Sequence, residues 1–116
     1  MATKPACLTR EDGRVVCEHL LVAARPLPRM RGLLGRPSLP AGEGLLLRPA
    51  GSVHTFFMRF PIDVVFLDRE YRVVGIEAAV PPWRTAGRRG TKAVVELASG
   101  ECERRGLALG DRLVAV

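Results

Sequence analysis

The sequence has few features of a membrane, disulfide-stabilised or zinc-binding protein. No apolar run approaches the roughly 20 residues that a membrane-spanning helix needs. The opening Met-Ala-Thr-Lys-Pro-Ala-Cys meets Arg10, Glu11 and Asp12 before a signal-type apolar region develops. The three cysteines, an odd number, form no Cys-x-x-Cys pair, which argues against a disulfide framework and against a zinc ribbon. We therefore expect free thiols, no membrane span and a cytoplasmic location.

Motifs for phosphate binding and nucleophilic catalysis are also missing. The glycine-rich segment 31–36 lacks the Lys-Ser/Thr ending of a phosphate-binding loop, and no Gly-x-Ser-x-Gly sequence occurs. Simple nucleophilic catalysis therefore has little support, and no cofactor is predicted. These absences favour a protein that binds a ligand over an enzyme, with the ligand and the oligomeric state left open.

Positive charge is abundant but dense in only one place. The chain of 116 residues carries 18 basic and 12 acidic side chains, a formal net charge of +6, and its length fits one domain. The dense basic patch follows Trp83 and consists of Arg84, Arg88, Arg89 and Lys92. A flexible cationic stretch beside a stacking ring is typical of contacts with single-stranded nucleic acid. The alternative is a solvated loop that Trp83 anchors.

Hydrophobic patterning predicts a succession of short strands. Asp12-Gly13 is a turn signal that makes residues 6–18 a hairpin, and in that register Cys17 faces Leu8. Later segments combine apolar runs or alternation with flanking turn residues. The further strands are predicted over 44–47, 53–60, 62–67, 71–80, 91–98 and 112–116.

Two short helices complete the prediction. One covers 26–35, with Pro26 in its first turn. The other is a single turn after Ser99, which we expect to cap it, and it ends at Gly106. Because most of the roughly seven strands are adjacent in sequence, we predict a mainly β single domain, a mostly antiparallel β-barrel or rolled sheet with little helix.

The richest candidate site lies in the segment 53–63. If the segment alternates as a strand, one face carries His54, Phe56, Met58 and Phe60. Asp63 follows in an apolar run, where burial would shift its pKa, and it could pair with His54 as a general base or metal ligand. The alternatives are that Asp63 caps backbone amides near Pro61, that His54 is a hydrogen-bonded core residue and that the aromatic rings are core.

Glu96 extends this segment into a weaker metal-site hypothesis. It stands in an otherwise apolar strand, and with His54 and Asp63 it would supply two carboxylates and one imidazole to a divalent ion. Such a set would suit a metal-assisted hydrolase or isomerase. Nothing in the spacing predicts that the three side chains converge, so no metal is predicted. The alternative is that Glu96 pairs with one of the many arginines.

Five blocks of the sequence resemble a known family. They are RGLLGR at 31–36, GLLL at 44–47, HTFFMRFPIDVVFLD at 54–68, VELASG at 95–100 and GLALGD at 106–111. Together they resemble the DUF192 (UPF0127) family, a prokaryotic domain of unknown function with a small, mostly β fold. The resemblance covers residues 14–116 and leaves 1–13 as an N-terminal strand and turn outside it. It implies no activity, cofactor or catalytic residue.

The positions that match the family pattern include some that serve the backbone. Gly110-Asp111 is typical of a turn into the last strand, and Pro61 of a break between two strands. We therefore predict a non-catalytic module that binds a small ligand or a protein partner through the segment 53–63. Its candidate ligand-binding residues are His54, Thr55, Phe56, Met58, Asp63 and Glu96.

Overall fold

The computed structural model describes residues 6–23, 37–56 and 58–116, and those ranges contain nine strands and one short helix. The helix is α1 (Glu101–Arg104). The helix predicted over 26–35 lies outside the described residues. The strands are β1 (Ala6–Arg10), β2 (Val15–Ala23), β3 (Glu43–Leu47), β4 (Ser52–His54), β5 (Ile62–Leu67), β6 (Val73–Val80), β7 (Thr85–Gly87), β8 (Ala93–Ala98) and β9 (Leu113–Ala115).

Seven strands form one rolled sheet with the order β6-β5-β8-β3-β2-β1-β9. Its neighbours pair antiparallel, except that β2 and β3 run parallel. The two edge strands approach each other at a bridge between Arg72 and Arg112, where the Val73 N–H donates to the Asp111 carbonyl at 2.8 Å. The predicted mainly β, rolled-sheet domain is thus confirmed, although the sheet is mixed and does not close into a barrel.

The β1–β2 hairpin forms where the turn signal predicts it. Gly13 adopts a φ of 91°, which glycine reaches without steric cost. Leu8 pairs with Cys17, so the predicted register is confirmed. The buried Cys17 thiol donates to the Gly42 carbonyl at 3.3 Å, which ties the hairpin to the chain that enters β3.

A cluster of apolar side chains covers each face of the sheet, and its central strands are therefore buried on both sides. All six residues of β5 are buried, as its apolar run predicts. Alternate residues of β5 enter two different clusters. We name them the hairpin cluster, which includes Leu8, Cys17, Val65, Leu67 and Val95, and the ribbon cluster, which includes Leu45, Ile62, Val64, Phe66 and Val94.

A two-stranded ribbon of β4 and β7 packs on the ribbon cluster. Its central pair, Val53 and Ala86, is partly buried against that cluster. The pairs on either side are exposed, because alternate residues of a strand point to opposite faces. The outward face of the ribbon therefore carries Ser52, His54, Thr85 and Gly87.

The predicted strand over 53–60 is wrong beyond His54. The Thr55 carbonyl accepts the Met58 N–H at 3.1 Å, so the chain turns directly after β4. This turn breaks the odd–even alternation on which the prediction depended. Met58 is consequently buried, whereas Phe56 is 38% exposed, and the predicted set does not share one face.

Helix α1 begins without the predicted Ser99 cap. Its N-cap is Gly100, at a φ of 89°, and a glycine has no side chain that could bond to the first turn. The acceptor comes from β5 instead, because the Asp63 carboxylate accepts the N–H groups of Gly100 and Cys102 at 3.1 and 3.0 Å. The helix stops before Gly106, at a φ of 69°, as predicted.

Arg105 joins α1 to β2, and its replacement should destabilise the domain. Its guanidinium, 12% exposed, donates to Glu18 at 2.7 and 2.9 Å and to Glu101 at 3.2 Å, and it lowers the pKa of the Glu18 carboxyl. Arg105→Met should lower the free energy of unfolding by about 2 kcal/mol in urea denaturation at neutral pH. The control Arg104→Met, at a 58% exposed side chain that bonds to Glu101 but not to Glu18, should cost less than the Arg105 replacement. Equal losses of stability in the two variants would contradict the role of Arg105 in joining α1 to β2.

Candidate functional site

Two exposed rings of the segment 53–63 meet a third ring from a distant part of the chain. The ring centroids of His54 and Phe56 are 5.1 Å apart at an interplanar angle of 32°, and those of Phe56 and Trp83 are 5.8 Å apart at 27°. The Trp83 side chain is 55% exposed, and His54 is exposed as well, so the alternative of a core histidine is wrong. We name His54, Phe56 and Trp83 the aromatic surface.

Thr55 fixes the two chain segments that carry this surface. The residue is fully buried; its Oγ1 donates to the Pro81 carbonyl at 2.6 Å and accepts the Arg84 N–H at 2.9 Å. Its backbone N–H donates to the Arg84 carbonyl at 2.8 Å, and its carbonyl accepts the Trp83 N–H at 3.0 Å. The predicted candidate Thr55 is therefore a support for the rings, and its hydroxyl is turned away from solvent.

Trp83 adopts a backbone conformation that side chains usually avoid. Its φ is 67°, in the left-handed region, which costs a residue with a Cβ atom about 1 kcal/mol or more. The hydrogen bonds to Thr55 hold this conformation in place. Since the indole remains more than half exposed, burial of the ring does not explain the strain. Strained residues of this kind concentrate at functional sites.

Asp63 bonds to backbone amides of two elements outside the aromatic surface. The residue is 1% exposed, and its Oδ1 accepts the Ala79 N–H at 2.9 Å. Its Oδ2 accepts the two amides at the start of α1. Ala79, at a φ of 51°, lies in a bulge of β6 opposite Asp63. The alternative in which Asp63 caps amides describes these contacts, but the amides belong to β6 and α1 rather than to the chain near Pro61.

Glu96 lies on the opposite face of the sheet from Asp63. Glu96 pairs with Val64 and Asp63 pairs with Leu97, and adjacent strand residues point to opposite faces. Glu96 is 5% exposed, burial raises the pKa of its carboxyl to about 7, and no arginine of the described residues pairs with it. In the same residues, no group of three or more His, Cys, Asp or Glu side chains could hold a metal ion. The structure thus does not bring His54, Asp63 and Glu96 together.

All four members of the predicted basic patch are exposed, and one of them, Arg88, also packs against a core ring. The Arg88 guanidinium lies over the Phe66 ring, 6.0 Å from its centroid, in space that Gly75 leaves open by having no Cβ. Arg88 therefore covers the ribbon cluster. No carboxylate in the described part of the chain forms an ion pair with the other members of the patch. Those other members are Arg84, Arg89 and Lys92.

The meeting of the two candidate segments is the feature that sequence reasoning missed. The segment 53–63 and the basic patch after Trp83 are separate hypotheses in the sequence, and the Phe56–Trp83 contact makes them one surface. Strands as short as β4 and β7, three residues each, carry too little alternation to indicate pairing. The position of Trp83 directly after two prolines was the available signal, and it indicated a loop rather than a partner.

Comparisons with known proteins identify a family. Residues 7–115 match the model of the DUF192 family, which is described as an uncharacterized ACR. A UPF0127 protein of Thermococcus sibiricus is 30% identical over 111 residues, which cover 91% of this chain and 71% of that protein.

Solved structures are similar over nearly the whole chain. A "putative transcription regulator" of Sinorhizobium meliloti superimposes with a TM-score of 0.87 at 21% identity, covering 99% of this chain and 96% of its own. A protein of unknown function from Novosphingobium aromaticivorans gives a TM-score of 0.82 at 25% identity, with coverages of 97% and 84%. The first likeness shows the fold alone. Within the described ranges, no helix has the length and apolar character to cross a membrane.

Proposed function

Because the chain belongs to the DUF192 family, which has no assigned activity, we propose from its structure that it is a non-catalytic binding module. Its contact site is the aromatic surface of His54, Phe56 and Trp83. A ligand or a segment of a partner chain packs against these rings. The buried candidates Thr55 and Met58 bond to each other in the turn after β4, which carries part of this surface. Asp63 and Glu96 lie outside it.

The observation that carries the proposal is the exposure of three contacting rings on a rigid support. Aromatic side chains concentrate in the contact regions of protein interfaces, and exposed apolar patches rimmed by polar residues mark interaction sites. Here the support includes the four hydrogen bonds of Thr55 described above. A surface that is ordered before binding loses less conformational entropy when a ligand arrives.

The two buried thiols and the Thr55 hydroxyl do not offer an activated nucleophile. Burial raises the pKa of the Cys17 thiol to about 11, and burial together with the neighbouring Asp63 raises that of Cys102. A thiol in this state is protonated at neutral pH and inert. The Thr55 hydroxyl is buried and bonded on both sides. These contacts support binding rather than covalent catalysis.

Replacing both Phe56 and Trp83 with alanine should remove binding and preserve the fold. Since both rings are exposed, we expect the melting temperature, followed by circular dichroism, to fall by less than about 5 °C. Binding is measured by amide NMR titration with four separate probes: ATP, a maltooligosaccharide, a proline-rich peptide and an oligothymidylate. At least one probe should shift the amides of residues 54–56 and 83–85 in the wild type and none in the double variant.

Leu109→Ala provides a matched control for this experiment. Leu109 is 67% exposed and lies outside the ribbon, so its replacement should leave both the shifts and the melting temperature unchanged. The proposal fails if the double variant melts more than about 10 °C lower, since the rings would then be structural. It also fails if the shifts survive in the double variant, or if none of the four probes moves these amides.

A cytoplasmic location is part of the same proposal. Cys7, Cys17 and Cys102 are all free thiols. Persistent free thiols are typical of proteins in a reducing compartment.

A further inference from the structure

The outward face of the β4–β7 ribbon connects the aromatic surface to an exposed cation. His54 and Thr85 pair at the end of the ribbon that carries the rings, and Ser52 and Gly87 pair at the other end. This face is exposed and holds only small or hydroxyl side chains beyond His54. The chain then leaves β7 into the turn that contains Arg89. An extended ligand lying along the ribbon would therefore contact rings at one end and a cation at the other.

An exposed cation lies at each end of this face. Arg84 follows Trp83 directly, and Arg89 lies at the opposite end of β7; both side chains are exposed. No carboxylate of the described residues forms an ion pair with either one. The whole chain also carries a net charge of +6. Uncompensated positive charge along a binding face favours an anionic ligand.

We infer that the ligand of the aromatic surface is single-stranded nucleic acid, an inference that rests on the proposed function above. Unpaired bases stack on exposed rings without strong sequence preference, and their phosphates bind cations spaced along the strand. Arg84 and Arg89 supply those cations. A duplex keeps its base faces inside its own stack, where Phe56 and Trp83 do not reach them. An uncharged sugar or a proline-rich peptide would leave both arginines unused.

Trp83 is the one tryptophan of the chain, so intrinsic fluorescence reports directly on the inferred contact. We would titrate the protein with an oligothymidylate of about ten nucleotides, which lies within the usual site sizes of single-strand binders. The expected result is saturable quenching whose logarithmic affinity falls with the logarithm of salt, with a slope of about −0.7 for each phosphate contacted. A duplex of equal length should bind at least about tenfold more weakly.

Variants separate the phosphate contacts from the stacking contacts. Arg84→Gln combined with Arg89→Gln should make the salt slope shallower by about 1.4 and lower the affinity at low salt about tenfold. Arg14→Gln combined with Arg112→Gln removes the same charge next to β2 and β9 and should retain the wild-type slope. Phe56→Ala should lower the affinity about tenfold and leave the salt slope unchanged.

Each outcome of the titration bears on a different claim. The nucleic-acid inference is overturned if the affinity measured by quenching changes neither with salt nor with the Arg84 and Arg89 replacements. It is also overturned if the duplex binds as tightly as the single strand. If the oligothymidylate leaves Trp83 unquenched while the peptide or the sugar shifts the amides of 54–56, this inference fails and the proposed function stands. If no probe acts on the aromatic surface, both fail.

Discussion

Asp63→Ala should cost the domain about 4 kcal/mol or more of its free energy of unfolding. The substitution leaves the N–H groups of Ala79, Gly100 and Cys102 without their acceptor. The bond to Cys102 is buried, and the other two are partly buried. Each unsatisfied buried amide costs about 1–3 kcal/mol, and a carboxylate acceptor makes each bond stronger than a neutral one. Because small domains are stable by only about 5–15 kcal/mol, this loss is a large fraction of the total stability. Urea denaturation followed by circular dichroism measures the loss.

Asp63→Asn keeps the experiment informative if the alanine variant does not fold. An asparagine oxygen in the Oδ2 position would still accept the two amides of α1, whereas its NH₂ group would face the Ala79 N–H, two donors without an acceptor. We therefore expect the asparagine variant to be intermediate in stability. If the alanine variant stays within about 1 kcal/mol of the wild type, Asp63 does not tie β5 to β6 and α1.

The domain should lose stability as the pH rises from about 4.5 to about 7, because Glu96 must ionise inside the protein. Its carboxyl has a pKa of about 7 in the folded state against 4.5 as the ordinary value. Below 4.5 both states hold the proton, and the contribution to stability is complete. At higher pH the unfolded state releases its proton first, so stability falls until the folded carboxyl ionises too. The interval between the two pKa values corresponds to about 3 kcal/mol.

Glu96→Gln should flatten this pH dependence, as measured by urea denaturation at several pH values. Glu77→Gln is the matched control, because Glu77 also pairs with Val64 but is exposed at the edge of the sheet. The control should retain the wild-type slope. The argument from burial is refuted if Glu96→Gln loses stability with rising pH as steeply as the wild type does.

Much of the sheet could be predicted from local sequence because its signals are local. The Asp12-Gly13 turn and the apolar run of β5 each depend on residues within a few positions of one another, and both predictions are confirmed. The prediction of a strand over 53–60 is wrong beyond His54. The sequence does alternate there, but the chain turns at Thr55 and the strand ends. A pattern of side chains does not encode where the backbone hydrogen bonds go.

The candidate site depended on contacts between segments far apart in sequence. Asp63 is conspicuous in the sequence as the one charged residue of a buried strand. However, two of the three N–H groups that donate to its carboxylate lie at the start of α1, far from Asp63 in sequence. The sequence predicts Ser99 as the cap of that helix, because serine is a preferred cap residue and directly precedes the turn. Likewise Phe56 and Trp83 meet through the ribbon pairing and Thr55, neither of which leaves a periodic signal.

The bulge at Ala79 also affects whether the sheet edges of two molecules of this protein can pair. Because the rolled sheet does not close, β6 remains at its edge, and a regular edge strand is a template for pairing with a second chain. At the bulge the backbone bends, and the Ala79 N–H turns toward Asp63 on the neighbouring strand. The carboxylate that anchors α1 thereby also keeps this edge irregular, which guards the domain against edge-to-edge aggregation.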